Sequence, residues 1–139
     1  MVINTETHSS KNPFISEIVR RLKEHAGIEA EVVKPLIEVP PNPDMGDYTL
    51  PCFALKEKFQ KNPALIAKEL ASIPLAGGQI TRVEAHGPYL NFSVDKNILT
   101  RWVLTTVFNE KDSYGRLTLG SGKTVIIDYS SPNIAKHLG

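Results

Sequence analysis

Ile80-Thr81-Arg82-Val83-Glu84-Ala85-His86-Gly87-Pro88-Tyr89-Leu90-Asn91-Phe92-Ser93-Val94 alternates apolar and polar side chains on both sides of a Gly-Pro pair. Such a period of two is the signature of half-buried strands, so the segment reads as a hairpin of Ile80–His86 and Tyr89–Val94. A two-residue turn with glycine first suits type II′, although proline is a less usual second residue. That register sets Ala85 opposite Leu90 and Val83 opposite Phe92 on an apolar side. It sets His86 opposite Tyr89 and Glu84 opposite Asn91 on a polar side, where Arg82 and Ser93 also lie. Both strands agree on the buried face, which pins the register.

Outward from the hairpin the period is helical. Asn12-Pro13 and Asn62-Pro63 each place an asparagine cap before a first-turn proline. Ile15, Ile18, Val19 and Leu22 then form one stripe ending at Gly27, and Ile66, Leu70 and Ile73 form another. Asp95 caps a third helix with Ile98, Leu99, Trp102, Val103 and Val107 as its inner face. Leu36–Val39 is expected as a short strand and Pro40–Asp44 as a loop. A helix is expected after Met45-Gly46-Asp47, with Pro51 in its first turn and Leu50, Phe53 and Ala54 on one face. From Lys111 the chain turns glycine- and serine-rich, then gives Thr124–Tyr129, a short run expected to be a strand buried on both faces. The fold class is α+β: a small, mainly antiparallel sheet with helices on one face, plus this C-terminal orphan strand. Residues 1–112 form one domain and 113–139 a linker and strand. The orphan strand is expected to pair with the sheet edge or with a second copy of the chain.

The 139 residues are 41% hydrophobic, with 16 Lys+Arg against 15 Asp+Glu and one cysteine. That suffices for one core and is too apolar for a disordered chain. No apolar run approaches the roughly 20 residues of a membrane span, and the first ten lack a secretory stretch. The balanced charge offers no general basic field for nucleic acid. A lone Cys52 suggests a reducing, cytoplasmic compartment and a small core filler. Gly120-Ser121-Gly122-Lys123-Thr124 resembles the end of a phosphate-binding loop, but position 117 is Leu where that signature needs glycine, and the glycines precede the strand. His8, His25, His86 and His137 have no ligand spacing, so no metal site is expected, and no acidic pair suggests acid–base catalysis. Two features carry chemistry. Tyr89, Asn91 and His86 on the polar hairpin face offer a stacking ring beside hydrogen-bonding edges, suited to an unstacked RNA base; a merely solvated face would look similar. Strand 124–129 followed by Ser130-Ser131-Pro132-Asn133 places polar residues where α/β sheets bind ligands.

Val125-Ile126-Ile127-Asp128-Tyr129-Ser130-Ser131-Pro132-Asn133-Ile134-Ala135-Lys136 closely resembles the segment of arginyl-tRNA synthetases just before their His-x-Gly-His nucleotide signature. Gly46-Asp47-Tyr48, Lys61-Asn62-Pro63 and Gly87-Pro88-Tyr89-Leu90-Asn91-Phe92 are similar, in the same order, to that family's N-terminal additional domain. Gly139 stands where many members have the first His of the signature, and some have Gly.

The resemblance implies a class I aminoacyl-tRNA ligase. Arginine and ATP, with Mg, give arginyl-adenylate, and the arginyl group passes to tRNA(Arg). It implies that Asp128 contacts the arginine guanidinium and Asn133 the substrate's α-amino end. Ser130, Ser131 and Lys136 lie in the same pocket segment. Tyr89 and Asn91, with His86 beside them, fall where the additional domain meets the tRNA D-loop. It also implies that the orphan strand begins a Rossmann-type catalytic domain, truncated here, with no catalytic residue and no bound cofactor in these 139 residues. The full-length enzyme is expected to be a cytoplasmic monomer without a membrane partner. The competing reading is a free-standing RNA-binding or interaction module without ligase activity.

Overall fold

A computed structural model describes residues 12–116, 120–124 and 126–127. Helix α1 spans Pro13–Ala26 and is followed by a single turn, α2, at Ala30–Val33. Strand β1 is Tyr48–Pro51, α3 is Lys56–Phe59 and α4 is Pro63–Ala71. The hairpin is β2, Ile80–His86, and β3, Tyr89–Val94, and α5 is Lys96–Glu110. The sheet is antiparallel in the order β1-β3-β2, so β3 is central and both its neighbours are edges.

The hairpin takes the register its alternation predicts: Val83 pairs with Phe92, Glu84 with Asn91, Ala85 with Leu90 and His86 with Tyr89. Gly87 has φ 55° while Pro88 does not enter positive φ, which selects type II′ over type I′. The caps also form as read. Asn12 Oδ1 accepts from the backbone N–H groups of Phe14 and Ile15, and Asn62 Oδ1 from that of Ala64. Asp95 Oδ1 accepts from those of Asn97 and Ile98. Asn12 is used twice, because its Nδ2 donates to Tyr48 Oη at 2.9 Å and so ties the start of α1 to β1. Burial pushes the Tyr48 hydroxyl pKa upward.

Leu50, Leu90, Phe92 and Val94 join Phe14, Ile18 and Leu22 of α1 and Ile66 and Leu70 of α4 in one core. Helices α1 and α4 pack on this apolar side of the sheet. Cys52 is fully buried within it as a core filler, and desolvation lifts its thiol pKa to about 11.

Four expectations are corrected. Residues 48–51 form a strand, not the first turn of a helix, and Cys52–Leu55 make a 3-10 turn before α3. Tyr48, Thr49, Leu50 and Cys52 are buried, and Pro51 is tolerated because β1 is an edge strand whose outer side is bridged at Thr49 and not at Pro51. Leu36–Val39 is not a strand: Lys34–Leu36 is a 3-10 turn, and only Glu38 bridges to Thr49. Pro35 and Pro40 remove backbone donors on either side of that bridge. Helix α5 rests on the core through Leu99 and Trp102, whose ring meets Phe14 edge-on at 5.9 Å, while Ile98 and Val107 are exposed rather than inward. The inner face is narrower because only the first half of the helix lies against the core. Finally, Ile126 and Ile127 belong to no strand and are 91% and 64% exposed, so the buried orphan strand is not formed there. A strand exists only through its ladder, and among the described residues none of β1, β2 and β3 pairs with Ile126 or Ile127. Val125 and Asp128 lie outside the described residues.

The loop before β1 is clamped to the central strand. Asp47 donates its backbone N–H to the Phe92 carbonyl at 2.8 Å, and its Oδ2 accepts from the Val94 N–H at 2.9 Å. Lys96 Nζ closes on Asp47 Oδ1. Gly46 makes the approach possible, since its φ is 101° and an added Cβ would stand 2.8 Å from the Phe92 carbonyl oxygen. Gly46→Ala is therefore expected to lower stability by at least about 1–3 kcal/mol, read as a fall in the urea midpoint with an unchanged slope.

Candidate nucleic-acid interface

Because side chains alternate across a strand, burying Leu90, Phe92 and Val94 turns Tyr89, Asn91 and Ser93 to the face away from α1 and α4. Two cross-strand rows result. Pro51, Tyr89 and His86 form the row nearest the hairpin turn, and Thr49, Asn91 and Glu84 form the next. His86 is exposed and Tyr89 half-buried. Arg82 Nη2 donates to Glu84 Oε1 at 2.5 Å, so the cation nearest this face is already engaged by a carboxylate.

Asn91 corrects the reading of a freely projecting amide. It is on the polar face, yet only 7% exposed. Its place on the central strand gives it neighbours on both sides. Thr49 Oγ1 donates to Asn91 Oδ1 at 2.6 Å, a buried hydrogen bond that fixes the amide plane. The Pro43–Met45 turn closes one side of the same region, leaving an open cavity of about 560 Å³ lined by Asn42, Asp44, Met45, Glu84, His86 and Asn91. Asn42 holds that turn by accepting from the Asp44 N–H at 3.0 Å. Asn91 thus forms part of a concave floor instead of a projecting finger. Only the pairing of β1 onto β3, which the helical reading of 48–51 hid, could have revealed this.

Phe53 is the residue of this face that the sequence reading missed. Expected on a buried helix face, it stands 53% exposed with its ring edge-to-face against Tyr89, centroids 5.8 Å apart. The segment itself carries no signal of this, because the turn that exposes Phe53 follows from the pairing of 48–51 with β3.

Asp128, Ser130, Ser131, Asn133 and Lys136, the residues expected to hold arginine, lie outside the described residues. Gly120–Gly122 is a turn that precedes no helix among the described residues, in keeping with a connector. Among the described residues no group of His, Cys, Asp and Glu is placed to hold a metal ion, and no helix is long and apolar enough to cross a membrane.

An antiparallel three-stranded sheet with helices on one face and a ring-and-amide row on the other is the architecture of a small α+β domain. Residues 13–94 match the family model described as the arginyl tRNA synthetase N terminal domain, which is more than half of the chain. The chain belongs to the arginyl-tRNA synthetase family. It is similar to the arginine–tRNA ligase of Clostridium botulinum (strain Loch Maree / Type A3), 48% identical over 124 residues that cover 88% of this chain and 22% of that one. It is 42% identical over 128 residues to the arginine–tRNA ligase of Clostridium beijerinckii, covering 91% and 23%. Among solved structures it is similar to the Thermus thermophilus arginyl-tRNA synthetase, with 30% identity, a TM-score of 0.49, and coverage of 66% of this chain and 15% of that one. The chain spans 22–23% of the length of these curated relatives.

Thr49→Val removes the hydroxyl that orders Asn91 while keeping its volume. It is expected to cost about 1–3 kcal/mol by leaving a buried amide oxygen without its donor, measured by urea unfolding. The Asn91 side-chain amide resonances should broaden or shift in the same variant.

Proposed function

We propose that residues 1–112 are a tRNA-corner-binding domain of an arginine–tRNA ligase, and that Tyr89, Asn91 and His86 meet the D-loop of tRNA(Arg). The observation that carries this reading is the row of Tyr89 and His86 beside the concave Asn91 floor, on the sheet face that the helices leave open. The chemistry suits an unstacked nucleobase. The tyrosine ring gives a π-face, Asn91 an amide edge, and His86 a ring that both donates and accepts. Family membership supports the same partner.

In the complete ligase, arginine and ATP with Mg are the substrates, and the enzyme attaches arginine to tRNA(Arg). Asp128 faces the arginine guanidinium, whose planar fork a carboxylate matches, and Asn133 holds the α-amino end. Ser130, Ser131 and Lys136 line the same segment. The boundary at about residue 112 separates this chemistry from the RNA-binding domain. The complete enzyme works as a cytoplasmic monomer, and the 139 residues alone bind no cofactor.

Affinity rests on bases more than on phosphates. Formal net charge is +1, and Asp44 and Glu84 lie beside the platform. Binding of the 139-residue chain to an unmodified tRNA(Arg) transcript should be weak, with a shallow dependence on salt. Tyr89→Ala should weaken it by at least about fivefold, since one stacked base is worth about 1–3 kcal/mol. An unchanged dissociation constant in a fluorescence or NMR titration would refute the assignment. The 139 residues alone should show no arginine-dependent ATP–pyrophosphate exchange above a blank, and detectable exchange would contradict the division of labour.

A further inference from the structure

Phe53 is placed by the 3-10 turn that follows β1. Pro51 ends β1 opposite Tyr89, Cys52 is fully buried at the start of the Cys52–Leu55 turn, and the next residue, Phe53, stands exposed. The Cys52 N–H donates to the Pro88 carbonyl at 2.9 Å, which fastens the Cys52–Leu55 turn to the hairpin turn. Two elements separated in sequence are thereby held so that their rings meet at 81°. A lone exposed phenylalanine needs no explanation, but one locked perpendicular to the ring of a binding row makes an L-shaped aromatic corner.

We infer that Phe53 is the second wall of this nucleobase site, so that a base stacked on one ring of the Phe53–Tyr89 corner sets its rim against the other. The inference rests on the RNA-binding reading and adds to it a residue and a shape. The C–H and N–H edges of a base carry partial positive charge and an aromatic face partial negative, so a base that stacks on one ring and turns such an edge to the other is complementary to both walls. A phenyl ring carries no charge to neutralise a phosphate, so the contribution of Phe53 is independent of counterion release.

The test titrates the 139-residue chain with the unmodified tRNA(Arg) transcript, following affinity and the ring-proton shifts of Phe53 and Tyr89 by NMR. Phe53→Ala and Phe53→Leu should each weaken binding by at least about fivefold, with the slope of log affinity against log salt unchanged. Phe53→Tyr should stay within about twofold, because it keeps the ring. Equal binding by Phe53→Leu would overturn the inference, since apolar bulk would then suffice. Loss of binding in Tyr89→Ala without loss in either non-aromatic Phe53 variant would overturn it while the RNA-binding reading stands. No effect of Tyr89→Ala, or no binding at all, would overturn that reading and this inference with it. Should Phe53→Ala and Phe53→Leu unfold, the wild-type titration decides: Phe53 ring protons that stay still while those of Tyr89 move would rule out the second wall.

Discussion

Strand β3 is bonded on both edges, and that single constraint orders the molecule. With β1 on one side and β2 on the other, β3 has no freedom to rotate about its axis, so each of its side chains is committed to one face. Leu90, Phe92 and Val94 supply the floor on which α1 and α4 pack. Their burial forces Tyr89, Asn91 and Ser93 to the opposite side. A shift of one residue would turn the amide toward the helices and expose the phenylalanine, losing the core and the candidate row together. Stability and the candidate site therefore share one cause.

Gly46 and Asp47 act on the same strand from outside the hairpin. The close approach of Gly46 to the Phe92 carbonyl brings the Pro43–Met45 turn over the polar face. The Asp47 carboxylate, shared between the Val94 N–H and Lys96, links that turn to the start of α5. The wall of the cavity beside Asn91 is thus fixed by contacts whose hydrogen bonds lie along the backbone of β3. A resemblance centred on Gly46-Asp47-Tyr48 and on Gly87 to Phe92 gains a physical meaning here, since the two stretches are adjacent in space and mutually dependent.

What could be read from sequence was what is local. The hairpin register follows from alternation around Gly87-Pro88, and the caps at Asn12, Asn62 and Asp95 follow from side chains within three residues of their partners. What escaped depends on a third strand. Leu50, Phe53 and Ala54 have helical spacing, and Pro51 suits a first helical turn, so nothing within the segment itself distinguished β1 from a helix. Missing β1 concealed the Thr49–Asn91 bond, the burial of Asn91 and the outward turn of Phe53, which are one error seen three times. The run at Thr124–Ile127 failed for a related reason: apolar β-branched residues state a preference for a sheet but cannot create one without a neighbour.

The electrostatics of the face complete the account of how it can work. Arg82 is paired with Glu84, and Asp44 and Glu84 border the cavity, so a phosphate chain crossing that side meets carboxylates as often as cations. A surface of this kind would gain little from counterion release, so under the proposed reading it favours a base presented away from its backbone. The aromatic corner at Phe53 and Tyr89 lies at the hairpin-turn end of the face, one row away from Asn91 and Glu84. Stacking there can proceed while the sugar and phosphate remain in solvent. One base held in this way contributes about 1–3 kcal/mol, far below what holds a complete RNA complex together. Under the proposed reading such a face would add discrimination to an association whose strength comes from other contacts, and the formal net charge of +1 accords with that.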